Sequence, residues 1–138
     1  MWEYEHSIET GATPEAIWRL WADVPNWGIW NAEIERIEID GPFAEGAQIT
    51  MTPPGDDAIV LRVAEAVEGE RFVDEARFGD LLPRTAHRID RIDGGRVRVV
   101  YRMEITGAGA DEAGPQIGPA ITADWPDTMA ALAGLAQR

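Results

Sequence analysis

The chain contains no cysteine and no lysine among its 138 residues, and no apolar run in it approaches the ~20 residues of a membrane-spanning helix. Without cysteine there is no disulfide framework, thiol nucleophile or thiolate-ligated metal, a composition compatible with a reducing compartment. Without lysine, twelve arginines stand alone against 25 acidic residues. The resulting formal net charge of -13 would repel nucleic acid and anionic membrane surfaces, so neither is expected as a partner. The opening MWEYEHSIE alternates acidic and apolar residues where a secretory signal would place a basic and then an apolar segment. The expected setting is soluble and cytoplasmic, without membrane insertion, as a monomer or homodimer.

Chemical motifs are also scarce. No GxGxxG and no phosphate-cradling loop occurs, so no nucleotide and no other cofactor is expected. The two histidines, His6 and His87, form neither HxxxH nor HxH, and zinc would need a third ligand such as Asp74, so no metal is expected. His6 reads as a core or rim residue.

What is present reads as one domain over residues 1–138. Trp2, Tyr4, His6 and Ile8 alternate with Glu3, Glu5, Ser7 and Glu9 as a half-buried strand. Thr13 as N-cap, Pro14 at the first helical position and Glu15 predict a helix to about Ala22, with Ile17, Leu20 and Trp21 on its apolar stripe. Pro25 ends it, and residues 26–31 form a second short helix or turn carrying Trp27 and Trp30. Six antiparallel strands then run from about Glu33 to Ile105. Gly107 to Gly114 reads as a small-residue loop. Ile117, Ile121, Trp125, Met129, Leu132 and Leu135 recur at helical spacing, with a bend near Thr122 imposed by Pro126.

Within the strands, a row of polar groups falls on the inward face. A hairpin centred between Asp80 and Leu81 would pair Phe78 with Pro83 and Asp74 with His87. The turn Asp93-Gly94-Gly95 pairs Ile89 with Val99 and His87 with Tyr101. A two-residue turn at Glu68-Gly69 pairs Val63 with Asp74 and Ile59 with Phe78. Val97, Val99, Tyr101, Met103 and Ile105 face inward, and His87 and Asp74 follow Tyr101. A carboxylate bonded to an imidazole would fix its tautomer and raise its basicity, leaving the far ring nitrogen to move a proton. The same residues also read as a satisfied buried polar cluster, or as groups that orient a ligand without turnover.

The element order β-α-α-β-β-β-β-β-β-α, with EHSIETGATPEAIWRLWADVPNWGIWN at one end, HRIDRIDGGRVRVVYRMEITG in the meander and GPAITADWPDTMAALAGLAQR in the tail, resembles the START-like or Bet v 1-like (SRPBCC) superfamily. The likeness is to its bacterial polyketide cyclase/dehydrase and lipid-transport branch. It implies an α+β helix-grip fold, a seven-stranded curved antiparallel sheet wrapping a long C-terminal helix, with a hydrophobic cavity between them. On that template Asp74, His87, Tyr101 and Met103 would line the cavity from the sheet, with Val63 and Phe78 on the same inner face. Trp27 and Trp30 would line it from the short helix, and Ile121, Trp125 and Met129 from the long one. Three functions remain open. The first is a binding domain for a small hydrophobic, aromatic, polyketide-like or lipid-like ligand. The second is a cyclase or dehydratase in which Asp74 orients His87 as base and Tyr101 holds the oxyanion. The third is a protein-interaction module with no open cavity.

Overall fold

The computed structural model describes residues 1–138. Strand β1 (Trp2–Thr10) leads into helix α1 (Pro14–Ala22) and a 3-10 segment (Val24–Ile29). Strands β2 (Arg36–Ile39), β3 (Gln48–Thr52), β4 (Ile59–Val67), β5 (Arg71–Ala76), β6 (Leu81–Arg91) and β7 (Val97–Gly107) follow, and helices α2 (Ala110–Thr122) and α3 (Trp125–Ala136) close the chain. The strands form one curved seven-stranded antiparallel sheet in the order β1-β7-β6-β5-β4-β3-β2. Each strand from β2 to β7 lies beside its successor, while β1 crosses over to cap β7.

Local chemistry accounts for the first helix. The Thr13 hydroxyl accepts from the Ala16 amide at 3.1 Å, and Pro14 occupies the first turn, where its missing N–H leaves no bond unmade. Ile17 and Trp21 are fully buried. They join Val24, Ile49, Val63, Phe72, Val99, Ile105, Met129 and Leu132 in a core between the concave sheet face and the helices. The convex face carries cross-strand charge ladders, such as Glu75 between Arg62 at 3.3 Å and Arg84 at 3.0 Å. Arg102 likewise meets Glu3, Glu5 and Glu104. Exposed pairs of this kind contribute at most about 1 kcal/mol each; their larger effect is to hold arginine on the outside.

Two registers differ from expectation. The β5–β6 hairpin closes at Gly79-Asp80, with Phe78 and Leu81 exchanging both backbone hydrogen bonds at 3.0 and 2.9 Å. Gly79 takes φ 59°, which suits the first central residue of a two-residue hairpin loop. Asp74 therefore faces Thr85, and His87 faces Phe72. The slip amounts to two residues, one full strand period, so the polar row stays on the inner face. At the β4–β5 turn a three-residue loop starts the register as Val67↔Arg71, and an irregularity between Val63 and Glu65 restores Val63↔Asp74. That pair matches expectation through two compensating departures. The β6–β7 register, His87↔Tyr101 and Ile89↔Val99, is as expected.

The C-terminal helical segment spans Ala110 to Ala136 and is broken between Thr122 and Trp125, where a proline-induced bend is predicted. It starts earlier than its apolar periodicity suggests. Gly107 to Gly114 reads as a loop for its small residues, yet α2 already begins at Ala110, and its two glycines, Gly114 and Gly118, stand at a close contact. A Cβ on Gly114 would lie 2.3 Å from Trp2 Cβ, and one on Gly118 would lie 2.5 Å from the far edge of the Trp2 ring. The two glycines thus let α2 lie flat against Trp2 at the sheet edge.

This contact makes a differential prediction. Gly118→Ala should destabilise the fold by about 1–3 kcal/mol through overpacking, and Trp2→Ala should relieve it in the double variant by removing the ring. Gly114→Ala should not be relieved, since the clash there is with Cβ, which alanine retains. Urea unfolding of the variants and their doubles would decide, and equal rescue at both positions would show that the packing is not as described.

Candidate functional site

Between the concave face of β3–β7, the Trp27–Trp30 segment and the α2–α3 junction lies a cavity of about 440 Å³. Strand alternation aims Leu61, Ala76, Asp74, Thr85, His87, Tyr101 and Met103 into it. The 3-10 segment and its exit supply Trp27, Trp30, Asn31 and Glu33, and the helix break supplies Ile121, Asp124, Trp125 and Thr128. Phe78 and Ile121 are exposed and stand at the mouth. Most of the lining is apolar; Asp74, Thr85, His87 and Tyr101 share one patch of sheet, and Asn31, Glu33, Asp56, Asp124 and Thr128 bring polar groups from outside it.

The helix break is itself a source of site residues. Pro126 sits in the first turn of α3, so the helix restarts there, and the Thr128 hydroxyl donates to the Asp124 carboxylate at 3.1 Å. The tryptophans are walls and do not plug the space. Trp27 is pinned by its Nε1–H donating to the Trp21 carbonyl at 2.9 Å, and Trp125 meets the edge of Tyr101 at a ring separation of 5.7 Å.

Asp74, His87 and Tyr101 converge, in an arrangement that differs from a simple acid–imidazole couple. His87 lies flat on Phe72, ring centroids 3.9 Å apart and planes 6° from parallel. Its Nδ1 is 3.2 Å from the Phe72 carbonyl. A carbonyl oxygen only accepts, so Nδ1 carries the hydrogen and Nε2 keeps its lone pair. Nε2 lies 3.9 Å from Asp74 Oδ2, beyond a hydrogen bond. The Phe72 carbonyl therefore sets the tautomer, a role the aligned pairing would have given to Asp74. The Tyr101 oxygen accepts from Trp21 Nε1 at 3.2 Å, leaving its own proton free to donate.

Burial orders the proton affinities. Asp74 is only 8 % exposed and makes no hydrogen bond within the protein. Loss of water, with a further push from Glu75, raises its pKa to about 7. The same loss of water lowers His87 to about 3, only partly offset by the bond to Phe72. Tyr101 is raised by burial against the opposing effect of the Trp21 donor. Although Asp74 and His87 lie within ion-pair distance, the imidazole is neutral at neutral pH and the pair carries no salt bridge. The carboxyl, not the imidazole, changes charge near neutrality.

Of the other residues expected to line the cavity, Trp27, Trp30, Phe78, Met103, Ile121 and Trp125 do so, whereas Val63 and Met129 are fully buried in the core beside it. His6 lies opposite Tyr101 on β1, outside the lining. No three His, Cys, Asp or Glu side chains converge as a metal would require, and no helix is long and apolar enough to cross a membrane. Thr85 also lines the cavity, and parity along β6 identifies it, since it alternates with Pro83 and His87. Asp124 carries no such signal, because it enters the site only through the helix break.

The pKa shifts have a stability consequence. Asp74 is raised on folding, so its favourable contribution is complete below its unfolded value and is lost as pH rises towards 7; His87 is lowered, so its contribution is present above its unfolded value and is lost as pH falls towards 3. The two trends oppose each other. Asp74→Asn removes one, so its stability relative to the parent should grow with pH, by about 4 kcal/mol between pH 4 and 8. Denaturant midpoints across that range test this, and a flat difference would mean that the carboxyl is hydrated.

The family model for "Polyketide cyclase / dehydrase and lipid transport" matches residues 1–137. Among curated proteins, none matches the chain in sequence. Among solved structures, the di-domain ARO/CYC BexL from the BE-7585A biosynthetic pathway superposes with a TM-score of 0.78 at 17% identity, covering 99% of this chain and 47% of that one. This chain thus spans about half the di-domain's length. A START superfamily protein from Mycobacterium smegmatis gives 0.74 at 15% identity, covering 98% and 97% of the two chains. Norcoclaurine synthase from Thalictrum flavum, in complex with dopamine and hydroxybenzaldehyde, gives 0.76 at 15% identity, covering 99% and 86%. At such identities the structural likenesses speak for the fold, a START/Bet v 1-like helix grip. With nearly its whole length matched by the family model, the chain belongs to the polyketide cyclase/dehydrase and lipid transport family.

Proposed function

We propose that the protein binds a small hydrophobic ligand of aromatic, polyketide-like or lipid-like character in the cavity between sheet and C-terminal helices. The observation that carries this reading is the cavity itself. Its volume of about 440 Å³ exceeds the ~300 Å³ lower end of ligand sites. An interaction module lacking a cavity would have Trp27, Trp30 and Trp125 folded into that space; here they frame it. Flat indole walls with a few convergent polar groups suit an aromatic skeleton, and norcoclaurine synthase holds aromatic molecules on the same fold.

A second reading, proton transfer to or from the ligand, draws support from Asp74, whose affinity for a proton is matched to neutral pH. The roles then differ from a histidine base held by an aspartate. Asp74 would take the α-proton of a ketone, Tyr101 would donate a hydrogen bond to the enolate oxygen, and neutral His87 would act as a fixed acceptor beside them. Cyclase and dehydratase chemistry both draw on such a step.

Two measurements separate these readings. Titration with 1-aminoanthracene, uncharged at neutral pH, should give saturable single-site binding that quenches tryptophan fluorescence. Filling the cavity with Ala76→Phe should weaken it at least about tenfold. Binding that ignores Ala76→Phe would place the ligand elsewhere. Turnover requires more: deuterium exchange at the α-carbon of bound 2-tetralone should accelerate through pH 7 and vanish in Asp74→Asn while the ketone still binds. Exchange at the solvent rate would leave a binding domain alone.

A further inference from the structure

No arginine or lysine lines the cavity, whereas several carboxyl groups do. The titratable groups of the lining are Asp74, His87 and Tyr101 inside, with Glu33, Asp56 and Asp124 nearer the mouth. None of the twelve arginines lines it, and lysine is absent from the chain. The carboxylates alone would be a generic acidic rim. Two further features make a site of them. Asp74 is 8 % exposed, faces the cavity and accepts no hydrogen bond from the protein, and since no side-chain polar atom is both fully buried and unpartnered, its oxygens stay open to whatever fills the cavity. Beside it, His87 Nε2 is a lone pair, because Nδ1 is committed to the Phe72 carbonyl. The patch is therefore rich in acceptors and lacks a cation.

We infer that the cavity takes a cationic ligand, a hydrophobic aromatic amine whose ammonium group sits between the Asp74 carboxylate and His87 Nε2 while its ring system lies against the tryptophans. The inference rests on the cavity being a ligand site and narrows the ligand's class. An ammonium carries hydrogens and no lone pair, complementing a carboxylate oxygen and an imidazole nitrogen at once. Aromatic rings at Trp27, Tyr101 and Trp125 also line the cavity, and aromatic surroundings favour a cation over a neutral ligand of the same shape. Anionic ligands such as fatty acids, phosphate esters or carboxylated aromatics would instead bring like charge to an unpaired buried carboxylate. The net charge of -13 acts in the same direction at long range, steering cations toward the mouth and anions away.

Three ligands of one shape test this: 2-(1-naphthyl)ethylamine, 2-(1-naphthyl)ethanol and 1-naphthylacetate, titrated by calorimetry at about pH 8, where Asp74 is ionised. The amine should bind about tenfold or more tighter than the alcohol, with the acid weakest. Asp74→Asn should abolish the difference between the amine and the alcohol. Lowering the pH of the parent protein to about 5.5 should act likewise by protonating Asp74. The groups facing Asp74 there are Thr85 and His87 on β6, Tyr101 on β7 and the mouth carboxylates; Glu75 is its neighbour on β5. His87 stays neutral at that pH. Equal binding of all three ligands, or an amine preference that survives in Asp74→Asn, overturns the inference and leaves the cavity reading standing. Failure of all three to bind overturns both.

Discussion

A carboxyl group is held inside an apolar cavity with no donor from the protein to satisfy it, and the arrangement of the surrounding residues is intelligible from that constraint. Asp74 sits at the middle of the sheet, flanked by Val63 on β4 and Thr85 on β6. Twelve arginines are available, yet those near this region point the other way. Arg62 and Arg84, one residue off the inner-face positions, pair with Glu75 on the convex side. Period-two alternation thus puts cation–anion ladders on one face and a lone acid on the other, a few ångströms apart. A single-residue slip would exchange the faces, burying the ladder and hydrating the acid, so the hairpin turns protect the site as well as the fold.

The imidazole beside that carboxyl is engaged from its other edge. Stacked on Phe72 and bonded to the Phe72 carbonyl, His87 is fixed in ring plane and tautomer by the strand it pairs with. A salt bridge to Asp74 would cancel the charge and leave nothing for a ligand. The neutral, oriented imidazole instead leaves an acceptor next to an acid that titrates near neutrality, which is the combination both proposed roles draw on. Tyr101, which receives the Trp21 indole and keeps its own hydrogen, is the donor on the same patch. Trp21 belongs to α1, so the first helix, although outside the cavity, sets the hydrogen-bonding direction of a group within it.

Much of the architecture was legible because it rests on local rules. Thr13-Pro14 announced α1, the alternation from Val97 to Ile105 announced β7 and its inner face, and Pro126 announced the break in the terminal helix. Gly79-Asp80 was harder to see, since Asp80, Leu81 and Leu82 offer several nearby turn placements and apolar residues flank them all. The first half of α2 was hidden for another reason. Glycine and proline at four positions lower its helix propensity, and its close contact is with Trp2, 110 or more residues earlier in the chain.

The sequence by itself determined the order of strands and helices, the inner face of the polar strands, the absence of thiol chemistry and the acidic balance, because periodicity, capping and composition act within a few residues of each other. Tertiary structure decided which inner-face residues meet. It moved Asp74 opposite Thr85, put His87 on Phe72, drew Asp124 to the cavity mouth and left Val63 and Met129 in the core. Register across a hairpin depends on where the turn closes, and proton affinity depends on how much water the assembled walls exclude. Neither quantity exists until distant segments have packed together.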